Sequence, residues 1–239
     1  QCTVQGLMKQ LALTLIPPPQ PSLDNFFPGR NAELLTALRA LAAGAYAERC
    51  IYLWGAPGCG RSHLLRAMAA ALVAHGLPVA YVDHNGAWPE LGEHPRALLV
   101  DDVDRLDARS QGKFFGLFNQ LREQHGIVLS AGSAPPARLM LRPDVVTRLG
   151  WGLTYQVFAL SDEEKTLALK SHAAARAFDL PDDIADYLLR HVERDLPNLI
   201  GILDALDRFS LETHRAITLP LVREFLQNDA ASDMKAGGS

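Results

Sequence analysis

This 239-residue sequence has few cysteines, no long apolar runs and no excess of basic charge. The three cysteines, Cys2, Cys50 and Cys59, are odd in number and far apart, which excludes a disulfide framework, and they lack the spacing of a zinc site. We therefore expect a reducing, cytoplasmic location. No stretch approaches the roughly 20 apolar residues that cross a bilayer, and no basic segment precedes a secretory apolar core. The sequence predicts neither a membrane protein nor a secreted one.

The charge balance also limits the partners of the chain. A net charge of -4 and a pI of about 6.1 exclude a global basic field that would hold a polyanion. We therefore expect contact with DNA to be indirect or to need a local patch. With 48% hydrophobic residues the chain can bury a sizeable core, which excludes a disordered or fibrous class.

The first 20 residues differ from the rest of the sequence. Four prolines within residues 16–21 remove backbone donors and hold the chain extended, so residues 1–20 are predicted to be a tail outside the core. In this tail an amide side chain precedes alternating leucines, a pattern that suits an extended peptide bound in a partner's pocket through Gln10, Leu11, Leu13 and Leu15. An edge strand or a chance string is the alternative.

Short apolar runs alternate with helical patterns after the tail. Strands are predicted at residues 50–54, 79–82, 97–100, 127–130 and 153–157, and helices at residues 31–43, 62–75, 110–124 and 143–149. This alternation is typical of an α/β domain with a parallel sheet covered by helices on both faces. We place that domain at residues 21–158.

The strand pattern stops near Leu160, and helical patterns follow. They cover residues 162–177, 182–191, 197–212 and 219–227, with Ser161, Pro181 and Pro220 near their starts. A small all-helical domain is therefore predicted over residues 159–228. The small and polar residues 229–239 are predicted to be a disordered tail.

A glycine-rich loop, residues 55–62 (Gly-Ala-Pro-Gly-Cys-Gly-Arg-Ser), follows the first predicted strand and opens a predicted helix. Its glycines allow backbone N–H groups to converge on phosphate oxygens, and the helix N-terminus adds a favourable dipole. Arg61 stands where the strict motif has Lys and replaces a compact ammonium by a planar fork. Ser62 is the expected hydroxyl ligand of Mg²⁺. An ordinary glycine-rich turn is the alternative.

Two adjacent carboxylates, Asp101 and Asp102, follow the apolar strand at residues 97–100. At the carboxyl end of a strand beside the phosphate loop, Asp101 is expected to hold Mg²⁺ through water, and Asp102 to orient an attacking water. Taken alone, two neighbouring acids more often belong to a solvated loop. Their combination with the glycine loop favours a nucleotide site.

Four strings of residues resemble the DnaA family of bacterial AAA+ proteins, which includes the replication initiator DnaA and its regulatory homologue Hda. They are residues 23–26 (Leu-Asp-Asn-Phe), the glycine loop continued to residue 65, residues 98–103 (Leu-Leu-Val-Asp-Asp-Val) and residues 148–153 (Arg-Leu-Gly-Trp-Gly-Leu). The resemblance covers about residues 21–227, and the last string is its most specific part. It implies the P-loop AAA+ fold, with a five-stranded nucleotide domain and a helical lid.

Within this family the sequence resembles the regulatory branch. The initiator ends in a DNA-binding helix-turn-helix domain, and we expect no such domain after the lid in this sequence. The regulators carry a short clamp-binding segment at the front and an Arg in the phosphate loop, and residues 10–15 and Arg61 match these features. The resemblance thus implies binding to the DNA polymerase sliding clamp and to DnaA, with self-association through the AAA+ face as a further expectation.

The family pattern also implies roles for single residues. Arg148 stands at the position of an arginine finger, which acts on a neighbouring subunit's nucleotide, and we expect its side chain to be exposed; a surface salt bridge is the alternative. Ser133 stands where a polar group senses the γ-phosphate, with a plain loop serine as the alternative. The residues implied to bind ADP or ATP are Asp24, Phe26, Gly55, Pro57, Gly58, Cys59, Gly60, Arg61, Ser62, His63 and Ser133.

The predicted lid departs from the family pattern. Pro197 stands where the family usually has a nucleotide-sensing Arg, and Arg194, three positions earlier, is the alternative sensor. Together with Arg61, this departure indicates weak or partner-dependent ATP hydrolysis and suits a protein that holds ADP and activates a partner. Three functions remain: a regulator that promotes hydrolysis of DnaA-bound ATP, an adaptor that recruits DnaA or a helicase, and a stand-alone ATPase.

Overall fold

A five-stranded parallel sheet forms the centre of residues 20–161 in the computed structural model, which describes residues 20–83, 86–89, 94–192 and 195–236. The strands are β1 Cys50–Trp54, β2 Val79–Val82, β3 Ala97–Val100, β4 Ile127–Gly132 and β5 Leu153–Gln156. Their order in the sheet is β2-β3-β4-β1-β5, and every pair is parallel. The loops that follow β1, β3 and β4 therefore lie at one edge of the sheet.

Helices cover both faces of this sheet. They are α1 Ala32–Ala42, α2 Arg61–Ala74, α3 Ala108–Glu123 and α4 Pro143–Leu149. Alternate residues of β1 enter two different hydrophobic clusters: Ile51 and Leu53 pack with α1 and α2, whereas Tyr52 packs with α3 and α4. Because β3 is buried along its whole length, its sequence is a continuous apolar run and not an alternating one.

Residues from 162 onward form a second unit made of four helices. These are α5 Asp162–Ala175, α6 Asp182–His191, α7 Leu196–Thr213 and α8 Leu219–Ala236. Its core consists of apolar side chains at helical spacing, including Ile184, Leu188, Leu199, Leu203 and Phe225. Pro197 lies in the first turn of α7, where a missing N–H group leaves no hydrogen bond unmade.

The predicted fold class is confirmed, and most of the predicted elements end within two residues of the observed ones. The exception is α8, which extends to Ala236 and so includes residues 229–236 of the predicted disordered tail. Three alanines, at positions 230, 231 and 236, have high helix propensity, which the polar composition obscured. The residues predicted to bind the clamp, Gln10, Leu11, Leu13 and Leu15, lie outside the described residues. Within the described part of the chain, no helix has the length and apolar character needed to span a bilayer.

Candidate functional site

The loop between β1 and α2 depends on glycine for its backbone path. Gly58 and Gly60 have φ angles of +76° and +100°, which residues with a side chain rarely adopt. A Cβ atom on Gly55 would overlap the carbonyl oxygen of Val157. Helix α2 begins directly after the loop, at Arg61, and its first N–H groups have no acceptor within the helix. This backbone has the features that bind phosphate.

The Arg61 side chain carries a buried donor that the protein leaves unused. The side chain is 11% exposed, and its Nη2 lies 3.6 Å from Oδ1 of Asp102. Its Nη1 is buried and has no hydrogen-bond partner. Leaving a buried donor unpaired costs about 1–3 kcal/mol, so most such groups have an acceptor. A nucleotide phosphate would supply an anionic acceptor at this place, and the residues present therefore fit the predicted ligand.

Asp101, the expected Mg²⁺ ligand, is buried and already accepts two hydrogen bonds. Its Oδ1 accepts from the backbone N–H of Asp102 at 3.0 Å, and its Oδ2 accepts from the Tyr81 hydroxyl at 3.2 Å. Burial and the Asp101 charge raise the pKa of Tyr81 to about 12, so this hydroxyl stays protonated and donates. Carboxylate oxygens retain further lone pairs for metal-bound water. Sequence reasoning missed Tyr81 because it lies within an apolar strand.

The other proposed Mg²⁺ ligand, Ser62, is half-buried in the first turn of α2. Among the described residues, no group of three or more His, Cys, Asp or Glu side chains could hold a metal. Any Mg²⁺ at this edge would therefore depend on the nucleotide for part of its ligand set, as is usual for magnesium in phosphate sites.

Ser133 is bound to a carboxylate that sequence reasoning did not identify. Its N–H donates to Oδ1 of Asp104 at 3.0 Å, and its hydroxyl donates to Oδ2 at 2.9 Å. Asp104 lies in the 3-10 turn Val103–Arg105, just after the two predicted acids. Ser133 follows Gly132, whose carbonyl oxygen accepts from the N–H of Gly55 at 3.4 Å. Ser133 thus follows a residue that contacts the glycine loop, and Asp104 engages both of its donors.

The segment before α1 also reaches the loop. The Phe26 ring lies 2.8 Å from the position that a Cβ on Gly60 would take, and 5.6 Å from the His63 ring. Burial lowers the pKa of His63, whose Nε2 lies 3.1 Å from the Ser22 carbonyl oxygen. Asp24 does not join them, because its carboxylate is 92% exposed and pairs with an arginine of α1 at 3.1 Å. Of the two residues in this segment that are implied to bind nucleotide, Phe26 alone touches the loop.

The remaining predicted loop residues differ in exposure. Pro57 and Gly58 are exposed at the tip, whereas Cys59 is buried beneath it. Burial raises the pKa of the Cys59 thiol, so we expect it to remain protonated at neutral pH. The tip is therefore the part of the loop that is open to a ligand.

Arg148 lies in the last turn of α4 and is half-buried, not fully exposed as expected. Its Nε–H donates to Oδ1 of Asn119 at 2.8 Å. The guanidinium carbon lies 5.0 Å from the ring centre of Phe115 and 5.1 Å from that of Trp151. On the same Trp151 ring, the Arg122 guanidinium lies at 3.7 Å. Phe115, Asn119 and Arg122 belong to α3 and are spaced i, i+4 and i+7. One face of that helix therefore supports Arg148.

Comparison with known proteins gives both a family for the helical unit and a fold for the whole. Residues 162–226 match the family described as Hda, lid domain. Domain III of the Thermotoga maritima replication initiation protein DnaA superimposes with a TM-score of 0.68 at 20% identity, over 88% of this chain and 97% of that one.

Two further structures show the same fold. AMPPCP-bound DnaA from Aquifex aeolicus gives a TM-score of 0.67 at 22% identity, and a DnaA bound to AMPPCP and single-stranded DNA gives 0.65 at 20% identity. Each match covers 79% of this chain and 65% of the DnaA chain. The structural matches confirm the predicted AAA+ fold, and the family match relates residues 162–226 to the lid domain of Hda.

Proposed function

We propose that this chain, whose fold matches that of DnaA and whose helical unit matches the lid domain of Hda, is a negative regulator of replication initiation. In this proposal it holds adenine nucleotide, in the form of ADP, at the glycine loop. It binds the DNA-loaded sliding clamp through its N-terminal tail, and it promotes hydrolysis of ATP on DnaA by offering Arg148 in trans.

The observation that carries the proposal is the uncompensated charge of Arg148. Its neighbours, the Asn119 amide and the rings of Phe115 and Trp151, are neutral, and within the described residues it forms no ion pair. These groups fix the orientation of the guanidinium without cancelling its charge. Because Nε serves Asn119, both Nη groups remain to donate to a phosphate. That arrangement suits an arginine finger, which stabilises charge on a transferring phosphoryl group.

Nucleotide binding by this chain is supported by the unused Nη1 of Arg61 and by the AMPPCP-bound DnaA structures of the same fold. Ser62 and Asp101 would hold Mg²⁺, which neutralises phosphate charge when bound. Asp102 would orient water in a hydrolysing protein. Here it is engaged with Arg61 and lies 3.8 Å from Arg105, which supports slow turnover by this chain itself.

Hydrolysis of radiolabelled ATP by DnaA tests the proposal. With clamp-loaded DNA, the wild-type protein is expected to stimulate hydrolysis, and Arg148→Ala to lower it on the order of 10³-fold or to background. Arg148→Lys should rescue poorly, because a point charge lacks the bidentate fork. A matched control is Arg142→Ala, which removes an exposed arginine next to the same helix and should stimulate like wild type.

The same assay separates the three functions. An adaptor predicts no stimulation even by the wild type, and a stand-alone ATPase predicts turnover when DnaA is omitted. Equal stimulation by the wild type and Arg148→Ala would refute the assignment of the finger.

A further inference from the structure

Asp104 and Ser133 form a pair that we call the clasp. In it one carboxylate accepts hydrogen bonds from both donors of one serine. The backbone N–H of Ser133 donates to Oδ1 at 3.0 Å, and its hydroxyl donates to Oδ2 at 2.9 Å. The two residues are 29 positions apart in sequence and follow neighbouring strands of the sheet. A hydroxyl has a single proton, so while it donates to Asp104 it offers a second anion only lone pairs.

The clasp lies beside the glycine loop. Strand β4 pairs with β1, so that Gly132 stands opposite Trp54, and the Gly132 carbonyl accepts from Gly55 at the start of the loop. Oδ1 of Asp104 lies 3.0 Å from the position that a Cβ on Gly132 would take. The carboxylate is therefore within the group of side chains that border the end of β1.

The electrostatic environment of Tyr52 supports the placement of Asp104 beside the glycine loop. Burial raises the pKa of the Tyr52 hydroxyl above its usual value; Asp104 raises it further, whereas Arg61 lowers it. The same hydroxyl therefore senses both the clasp and the arginine of the glycine loop. Asp102 lies 3.6 Å from the Arg61 guanidinium, and Asp104 and Arg61 both act on the Tyr52 hydroxyl.

The charges and hydrogen-bond donors near the glycine loop affect how many phosphates a bound nucleotide can carry. A third phosphate adds negative charge and acceptor oxygens, and both need donors or cations nearby. At Ser133, where the sequence predicts a hydroxyl that senses the γ-phosphate, the Asp104 carboxylate accepts from both donors of the serine. A diphosphate does not need these additional donors or cations, because the loop N–H groups and Arg61 are sufficient to bind it.

We propose that Asp104 determines the nucleotide specificity of this chain, and that it favours the diphosphate by engaging Ser133 and by repelling a γ-phosphate. This inference rests on the proposed binding of nucleotide at the glycine loop. It reverses the role that the sequence suggested for Ser133, which becomes part of a device against the triphosphate and not a sensor for it.

Calorimetric titration of the full chain with ADP and with AMPPCP, each with Mg²⁺, tests the proposal. Asp104→Asn removes the charge, keeps the shape and supplies an amide donor. It is expected to lower the ratio of the AMPPCP to the ADP dissociation constant by about tenfold, equivalent to about 1.4 kcal/mol. A matched control is Asp107→Asn, an N-cap carboxylate of α3 three residues along the chain, where Asn caps equally well and the ratio should not change.

Ser133→Ala provides a second, independent outcome, because it keeps the carboxylate. The ratio is expected to stay within about twofold of wild type, since the repelling group remains. A selective loss of AMPPCP affinity in Ser133→Ala would make Ser133 a γ-phosphate sensor and overturn the proposal, as would an unchanged ratio in Asp104→Asn. Absence of binding to either nucleotide by the wild type would instead refute the proposed nucleotide site itself.

Discussion

At the scale of the residue, the Arg61 side chain is charged and mostly buried, and one of its donors has no acceptor. Replacing it by Met keeps most of its volume and removes the unsatisfied Nη1. Without nucleotide, the free energy of unfolding is expected to stay the same or to rise by up to about 2 kcal/mol. The affinity for ADP should fall by about 10- to 100-fold, because a charge-assisted contact to phosphate is lost.

Thermal unfolding with and without ADP measures both effects, since a ligand stabilises the state that binds it. The matched control is Arg105→Met, which removes the exposed second partner of Asp102. This variant should keep the full ADP-induced shift in Tm. A normal shift in Arg61→Met would show that the orphaned donor is not part of the nucleotide site.

Asn119 offers a second test at this scale, because its amide seats Arg148 without neutralising it. Asn119→Asp keeps an acceptor at the same position and adds a negative charge. Stimulation of DnaA-bound ATP hydrolysis is expected to fall by more than about tenfold, since the guanidinium would be paired within its own chain. Asn119→Ala, which leaves the charge free, should lose less. The reverse order would mean that positioning alone matters.

At the scale of the element, the Arg-Leu-Gly-Trp-Gly-Leu string contains two glycines with different surroundings. A Cβ on Gly152 would overlap the carbonyl oxygen of Cys50, where β5 joins β1. A Cβ on Gly150 would have Val146 O as its nearest contact, at 3.6 Å, which is ordinary packing. The second glycine is therefore needed for the close approach of two strands.

Substitution by alanine should separate the two positions. Gly152→Ala is expected to lower the free energy of unfolding by about 1–3 kcal/mol through overpacking. Gly150→Ala should change it by less than about 0.5 kcal/mol. Urea denaturation of both variants measures the difference, and equal stabilities would argue against the close packing of β5 on β1.

At the scale of the whole molecule, the proposed regulator depends on a tail that is separate in sequence from the glycine loop. Replacing Gln10 and Leu13 by Ala should weaken binding to the sliding clamp by about 2–4 kcal/mol, the size of losing anchor residues. Binding of ADP should not change. Thr14→Ala is the control, because Thr14 is not among the four residues predicted to contact the clamp. Unchanged clamp affinity in the double variant would remove the tether from the proposal.

Much of the fold was determined by the sequence itself, because its signals are local. The period of apolar residues predicted the strands and helices, and the glycine loop between a strand and a helix predicted a phosphate site. Helix α8 ran past its predicted end because short polar segments carry a weak periodic signal. The resemblance to the DnaA family extended these inferences to Arg148 and Ser133.

Only the tertiary structure decided which groups these residues meet. Asp104 and Ser133 are 29 positions apart, as are Asn119 and Arg148, and Tyr81 is 20 positions from Asp101. Such pairs form where parallel strands end side by side or where two helices pack, and no local pattern specifies them. A buried polar group takes whichever partner the packing provides, because leaving it unpaired costs free energy. The partners of Ser133 and Arg148, and the orphaned donor of Arg61, are therefore properties of the fold.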